Sequence, residues 1–178
     1  MKGIVFTEFI EMVEQKFSPE TADRLLDECD LASGGAYTSV GTYDHREIVS
    51  MVVKLSEISD LPVPVLIKAF GYHLFERFVS LYPSFFLGIA SAMEFLARIE
   101  DIIHAEVRKL YPDAELPRFD VERRDADTLV LTYHSERHLG DLAEGLIESC
   151  IHHFGTPLGL VRENLDQPGQ PIRFTISR

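Results

Sequence analysis

Residues 91–117, SAMEFLARIEDIIHAEVRKLYPDAELP, decide how the rest of the chain is organised. Apolar residues recur at steps of three and four, which is the period of an amphipathic helix. They are Ile89, Met93, Leu96, Ile99, Ile103, Val107 and Leu110. Proline cannot continue a helix, so the pattern predicts one long helix that begins near Phe85 and ends near Tyr111, just before Pro112.

His104 lies at the margin of this apolar stripe, where its ring is able to point inward. A neutral imidazole is a common ligand of metals, including haem iron. A partly buried histidine that is hydrogen-bonded to a carbonyl group explains the same position more simply. This stretch alone leaves both interpretations open.

The composition limits which partners the protein can have. The chain has 178 residues, 46% of them hydrophobic, which suits one domain with a sizeable core. Its formal net charge of −12 argues against nonspecific nucleic-acid binding, which requires Lys and Arg to neutralise phosphates. The same charge argues against adhesion to an anionic membrane.

The cysteines and the apolar segments indicate a cytoplasmic protein. Cys29 and Cys150 lie far apart in the sequence and form no CxxC motif, which predicts two reduced thiols. Glu8, Glu11 and Glu14 interrupt the N-terminal apolar residues, unlike the apolar core of a signal peptide. No run approaches the roughly 18 apolar residues that a membrane helix needs.

The order of patterns predicts an α+β fold. Helical periods dominate up to Tyr111, and alternating patterns typical of half-buried strands follow Pro117. The expected strands are Arg118–Arg124, Leu129–Tyr133, Thr156–Glu163 and Ile172–Ile176, with a helix at His138–Phe154 before the last two. We therefore expect a helical N-terminal part packed on a roughly four-stranded antiparallel sheet with helices.

A second motif, Tyr133-His-Ser135-Glu-Arg137, ends one of these strands. Alternate residues of a strand point to the same side, so a phenol, a hydroxyl and a guanidinium would share one face. That set suits an anion, because Arg pairs with a carboxylate and Tyr and Ser donate neutral hydrogen bonds. An ordinary polar strand end is the alternative.

A helical His followed about thirty residues later by YxSxR resembles the H-NOX family. These are haem nitric-oxide/oxygen-binding domains, related to the haem domain of soluble guanylate cyclase. The resemblance extends along the chain through MKGIVF at 1–6, AFG at 69–71, YPSFF at 82–86, IIH to LYP at 102–112, LP at 116–117 and AEGLIE at 143–148. Either motif alone would be a weak signal, but the pair is specific.

The resemblance implies a single haem-binding domain over residues 1–178. A helical lobe at about 1–60 would pack on a haem-binding lobe at about 61–178, with haem b (iron protoporphyrin IX) between them. His104 is implied to be the axial ligand of the iron. Tyr133, Ser135 and Arg137 would hold the haem propionates, and Pro117 would press on the porphyrin and distort it.

The resemblance also implies which gas is bound. Oxygen-binding members place a distal Tyr, supported by Trp and Asn, over the iron, whereas the matching positions here are apolar. Such a pocket would favour NO and CO over oxygen. Its expected lining is Val5, Phe9, Leu74, Phe78, Leu142 and Leu146, although ordinary core packing explains each of these residues as well.

The implied function is a gas sensor and not an enzyme. NO is expected to weaken the bond between iron and His104, and the resulting shape change would signal to a separate protein. By resemblance that partner is a bacterial histidine kinase or a cyclic-di-GMP enzyme, and the sensor itself is expected to be a monomer. The alternatives are a haem enzyme of peroxidase or dioxygenase type, which the apolar pocket opposes, and a haem-free scaffold protein.

Overall fold

A computed structural model describes residues 1–178, and every side chain except that of Leu110, the last member of the predicted apolar stripe. The helices are α1 (Gly3–Lys16), α2 (Pro19–Glu28), α3 (His45–Ser59), α4 (Val63–Leu81), α5 (Ala92–Leu96), α6 (Ala105–Leu110) and α7 (Gly140–Phe154). The strands are β1 (Arg118–Arg124), β2 (Thr128–His134), β3 (Gly159–Asn164) and β4 (Ile172–Ser177). The predicted α+β class with an antiparallel sheet is confirmed.

Helices α2 and α3 begin at residues whose side chains accept hydrogen bonds from free backbone N–H groups of the first turn. The Ser18 side chain accepts a hydrogen bond from the N–H of Thr21 at 3.2 Å, and Pro19 occupies the first turn of α2. Asp44 caps α3 in the same way, since its carboxylate accepts from the N–H of Arg46 at 2.9 Å. These caps fix the points at which each helix enters the N-terminal core.

The sheet has the strand order β1-β2-β4-β3, with every neighbouring pair antiparallel. Apolar residues alternate along the two central strands and lie opposite one another across the pair β2–β4. The paired residues are Leu129 and Ile176, Leu131 and Phe174, and Tyr133 and Ile172. Because α7 packs on this face through Ala143, Ile147 and Cys150, Tyr133 is buried near the end of β2.

The core consists of two apolar clusters. The N-terminal cluster is formed by α1, α2, α3 and the first part of α4, and the C-terminal cluster by the sheet, α5, α7 and the later part of α4. Leu66, Phe70 and Leu74 of α4 belong to the first cluster, and Phe75 belongs to the second. Helix α4 therefore connects both clusters and forms part of the wall between them.

The single long helix predicted from Phe85 to Tyr111 is wrong. A 3₁₀ turn at Pro83–Phe86, α5, a π turn at Glu100–His104 and α6 replace it. Gly88 has φ of 75°, in the left-handed region, and Ser91 starts a new helix by accepting the N–H of Glu94. Leu96 of the predicted stripe is buried, and Ile89, Met93, Ile99 and Ile103 are partly buried against the C-terminal cluster. The apolar period therefore indicated the inward-facing side of the segment, but not whether the backbone helix is continuous.

Helices α4 and α7 approach closely where two glycines face each other. A Cβ at Gly145 would lie 2.2 Å from the carbonyl oxygen of Lys68, and one at Gly71 would lie 2.5 Å from the carbonyl oxygen of Leu142. Only residues without a Cβ permit this approach. The Nζ of Lys68 also bonds Glu144 and Glu148 of α7, at 2.8 Å and 2.7 Å.

A buried ion pair connects α1 to α4. Glu8 is 5% exposed, and its Oε2 accepts a hydrogen bond from Nε of Arg77 at 2.7 Å. Nε2 of His73 lies 3.4 Å from the same oxygen and has no hydrogen-bond partner in the part of the chain that the structure describes. Burial lowers the pKa of His73 below its usual value, although the Glu8 carboxylate opposes this shift.

The close approach of α4 and α7 predicts that Gly145→Ala destabilises the protein. The added methyl group would force the helices apart, at a cost of about 1–3 kcal/mol in the free energy of unfolding. Urea denaturation would measure this loss. The control is Gly159→Ala in β3, where the new Cβ would meet its nearest neighbour at an ordinary 3.7 Å. Equal stability of the two variants would contradict the packing.

The His73 environment predicts a loss of stability on acidification. Because the folded-state pKa of His73 lies below that of the unfolded chain, the unfolded chain takes up more protons once the pH falls below the usual histidine pKa. Unfolding free energy should therefore fall from about pH 7.5 to about pH 5.5, and His73→Gln should make that slope shallower. His152→Gln, which changes an exposed histidine of α7, should not reduce the slope. Indistinguishable slopes in wild type and His73→Gln would refute this prediction.

Candidate functional site

The His104 side chain is buried and held by one hydrogen bond. His104 is the last residue of the π turn and is 7% exposed. Its Nδ1 lies 2.8 Å from Oε1 of Glu100, and since a carboxylate only accepts, Nδ1 is the protonated nitrogen. The other ring nitrogen, Nε2, then carries a lone pair, and it makes no hydrogen bond within the described residues.

Glu100 is itself fixed by two further hydrogen bonds. Its Oε1 also accepts the backbone N–H of Phe119 at 3.0 Å, and its Oε2 accepts from Arg108 at 3.1 Å. Burial opposes ionisation of Glu100, but the bonds from Phe119, His104 and Arg108 together hold its pKa below the usual value. Sequence analysis missed this carboxylate, although the i, i+4 spacing of Glu100 and His104 was a usable signal.

The electrostatics of His104 favour its neutral form. Burial lowers the pKa of the imidazole below its usual value, and the nearby Glu100 carboxylate offsets only part of this effect. A neutral ring keeps the lone pair of Nε2 at physiological pH. Neutral imidazole with one nitrogen bonded to a carboxylate is the form in which histidine binds metals.

His104 lines an apolar cavity with about 740 Å³ of empty space, including the part that opens to solvent. Among the described residues of its lining, only His104 and Tyr133 carry a polar side-chain group. The lining consists of Phe75, Phe78, Phe86, Phe95, Leu96, Ile99, Ile103, His104, Pro117, Phe119, Tyr133, Leu142, Ala143, Leu146 and Ile147. Phe119 lies between the two polar residues, with ring centroids 6.2 Å from His104 and 5.1 Å from Tyr133.

The structure brings half of the expected distal residues to this cavity. Phe78 of α4 and Leu142 and Leu146 of α7 line it together with His104. Phe9 and Leu74 lie instead inside the N-terminal cluster, and Val5 lines a neighbouring apolar pocket that shares Leu142 with the main cavity. Val5, Phe9 and Leu74 therefore do not line the cavity and lie in the layer outside its lining.

The polar motif forms a rim at the mouth of the cavity. Strand β2 ends at His134, so Ser135 and Arg137 lie in the following turn, where Ser135 Oγ accepts the N–H of Arg137 at 3.2 Å. The turn after β2, and not the alternation of side chains along the strand, therefore brings Ser135 and Arg137 together. Tyr133 lines both the cavity and a polar pocket that contains Ser135, while Pro117 borders the cavity and a groove that contains Ser135 and Arg137.

Arg137 is paired with a side chain that is easily displaced. Its guanidinium lies 2.5 Å from a carboxylate oxygen of Glu115 and 2.9 Å from that residue's carbonyl oxygen. The Glu115 side chain is 82% exposed, whereas that of Arg137 is 17% exposed. Because the Glu115 carboxylate lies in solvent while the guanidinium is mostly buried, another carboxylate can take the place of Glu115 beside Arg137.

The donor set fits a flat apolar ligand that has a metal at its centre and carboxylates at one edge. His104 offers a nitrogen lone pair, the phenylalanines and leucines offer apolar contact, and the rim offers cationic and neutral donors. The residues present therefore fit haem.

The sequence matches the Haem-NO-binding family over residues 2–161. The chain belongs to this family, whose solved members are called H-NOX proteins. A comparison with curated proteins found no match.

Three solved H-NOX structures are similar over nearly their whole length. The Fe(II) unliganded protein from K. algicida is 37% identical, with a TM-score of 0.91, and the match covers 99% of this chain and 96% of that chain. The IWP-051-bound protein from Shewanella woodyi in the Fe(II)CO state is 40% identical, with a TM-score of 0.86 and coverage of 100% and 94%. The protein from S. oneidensis in the Fe(II)NO state is 26% identical, with a TM-score of 0.87 and coverage of 99% and 98%.

A search of the described residues found no helix of this H-NOX protein that is long and apolar enough to cross a membrane.

Proposed function

We propose that this H-NOX protein is a sensor that binds NO and CO through haem b and discriminates against oxygen. One observation carries the proposal: a buried imidazole, whose Nε2 makes no hydrogen bond within the described residues, lines a cavity whose described lining is otherwise apolar except for Tyr133. Bound ferrous haem would supply the iron at which a diatomic gas binds.

The residues around the cavity have distinct roles in this proposal. His104 would hold the iron from one side. Tyr133, Ser135 and Arg137 would hold the propionates at the rim, where Arg137 would exchange Glu115 for a propionate. Pro117, which borders both cavity and rim, would press on the porphyrin ring.

Selectivity among the gases would follow because the cavity wall formed by α4 and α7 offers no hydrogen-bond donor. Oxygen bound to ferrous iron carries partial negative charge and is held better where a side chain donates a hydrogen bond. Phe78, Leu142 and Leu146 cannot donate one. Phe9 and Leu74 would support this wall from the second layer, since Phe78, Leu142 and Leu146 pack against the N-terminal cluster that Phe9 and Leu74 help to form. Val5 would border it through the pocket that it shares with Leu142.

The solved relatives support the choice of ligands. The S. oneidensis protein is described in an Fe(II)NO state and the Shewanella woodyi protein in an Fe(II)CO state. Both share the fold of this chain at TM-scores of 0.87 and 0.86. We extend NO and CO binding to this chain on that basis and on the chemistry of its own cavity.

Signalling would use the two lobes as a two-state element. We propose one domain in which the lobe at about 1–60 moves against the lobe at about 61–178, with haem between them. Helix α4 contributes residues to both clusters, so a shift of the cavity wall would reach α1 and α3. The output would go to a separate cytoplasmic effector, a histidine kinase or a cyclic-di-GMP enzyme, and the sensor would act as a monomer without enzymatic activity.

Absorption spectra of the reduced, haem-loaded protein test this function. NO and CO should each shift the haem bands, whereas air should give no stable oxygenated spectrum, because the cavity wall offers no donor to oxygen. A long-lived oxygenated spectrum in air, or rapid turnover of added peroxide, would contradict the proposal and favour a haem enzyme. A colourless protein that does not take up haemin would contradict it as well.

His104→Gly provides the control on the ligand. The variant should lose the wild-type spectrum and regain it when free imidazole is added, since the small base can occupy the site of the missing ring. His152→Gly, which removes an exposed histidine of α7 outside the cavity lining, should keep the wild-type spectrum. An unchanged His104→Gly spectrum without imidazole would show that another residue binds the iron.

The rim geometry predicts that Arg137→Leu speeds haem loss. Removing a charge-assisted bond to a propionate should raise the rate of haem transfer to an acceptor protein by roughly tenfold or more. Arg118→Leu is the matched control, because Arg118 lies in the same groove but pairs with Asp120 and is 63% exposed. The assignment of Arg137 is wrong if both variants lose haem at the wild-type rate.

A further inference from the structure

We propose that Glu100 is a positioning residue for His104, whose carboxylate orients the ring and strengthens its hold on iron. The juxtaposition behind this proposal is a single carboxylate oxygen that lies 2.8 Å from Nδ1 of His104 and 3.0 Å from the backbone nitrogen of Phe119. The inference rests on the proposed function, because it requires His104 to bind the iron.

The carboxylate is positioned by the protein before any ligand binds. Oε1 is fixed by a backbone N–H of β1, which is part of the sheet, and Oε2 by the guanidinium of Arg108 on α6. Glu100 and His104 are the first and last residues of the same π turn. The ring therefore cannot rotate about its long axis without breaking its bond to Glu100.

This arrangement fixes the tautomer as well as the direction of the ring. The proton must stay on Nδ1, because the carboxylate has no proton to donate in return. Nε2 of this cavity-lining ring then always carries the lone pair. A histidine bonded to a backbone carbonyl would also have a fixed tautomer, but it would not face a negative charge.

The charge of Glu100 should make the imidazole a stronger ligand. Hydrogen bonding to a carboxylate raises the basicity of a metal-bound histidine, and hydrogen bonds to the axial ligand are one of the means by which a protein tunes haem. A more basic ring binds iron more tightly and favours the ferric state.

Arg108 should moderate this effect. Its guanidinium draws negative charge away from the carboxylate at 3.1 Å, so less of that charge reaches the ring. Arg108 is half exposed, and its removal should leave the core intact. Substitutions of Glu100 and Arg108 should therefore change the bond between iron and His104 in opposite directions. A merely structural role of Glu100 would not produce this opposition.

The experiment compares Glu100→Gln, Glu100→Leu and Arg108→Gln in the haem-loaded protein. Resonance Raman spectroscopy of the reduced form measures the iron–histidine stretching band, and redox titration measures the haem potential. The band should shift to lower frequency in Glu100→Gln and further in Glu100→Leu, while the potential rises. In Arg108→Gln the band should shift to higher frequency and the potential should fall.

Glu106→Gln is the matched control. It removes a nearby carboxylate that pairs with Lys109 and makes no contact with His104 in the described structure, so band and potential should match wild type. The proposal is overturned if Glu100→Gln and Arg108→Gln both keep the wild-type band and potential with haem bound. Circular dichroism of each variant establishes that the fold is retained.

Failure of the proposed function would look different. A wild-type protein without any iron–histidine band would overturn the assignment of His104 and the role of Glu100 together. A wild-type band that disappears in His104→Gly but is indifferent to Glu100 and Arg108 would overturn only the role of Glu100.

Discussion

A buried imidazole can offer one nitrogen to a ligand only if the protein satisfies the other, and the rest of this site depends on that constraint. Glu100 satisfies Nδ1 of His104, and the sheet satisfies Glu100 through the N–H of Phe119. The ring can therefore line an apolar space without leaving a polar hydrogen unpaired. The hydrogen bonds between the π turn and β1 thus determine which nitrogen of His104 is available to a ligand.

The packing of the two clusters determines what surrounds this nitrogen. Helices α4 and α7 meet at Gly71 and Gly145, and this close approach brings Phe78, Leu142 and Leu146 to one wall of the cavity. The wall is also the outer layer of the N-terminal cluster. Any change in the position of that wall therefore changes how α1 to α4 pack.

Most of the secondary structure could be predicted from the sequence, because caps, prolines and alternating patterns act locally. The central helix could not, because its apolar period continues through the breaks at Gly88 and Ser91. His104 and Tyr133 were found by their chemistry and spacing, and the structure places both at one cavity. The i, i+4 spacing of Glu100 and His104 was visible in the sequence, but the bond that fixes Glu100 to the N–H of Phe119 on β1 is a tertiary contact, which no local pattern displays.

The most direct measurement is a crystal structure of the reduced, haem-loaded protein. The account predicts that Nε2 of His104 is bonded to the iron while Nδ1 keeps its hydrogen bond to Glu100, and that the propionates lie at Arg137 and Ser135. Iron bonded to a different side chain would contradict this account. So would a porphyrin that lies outside the cavity lined by His104 and Leu142.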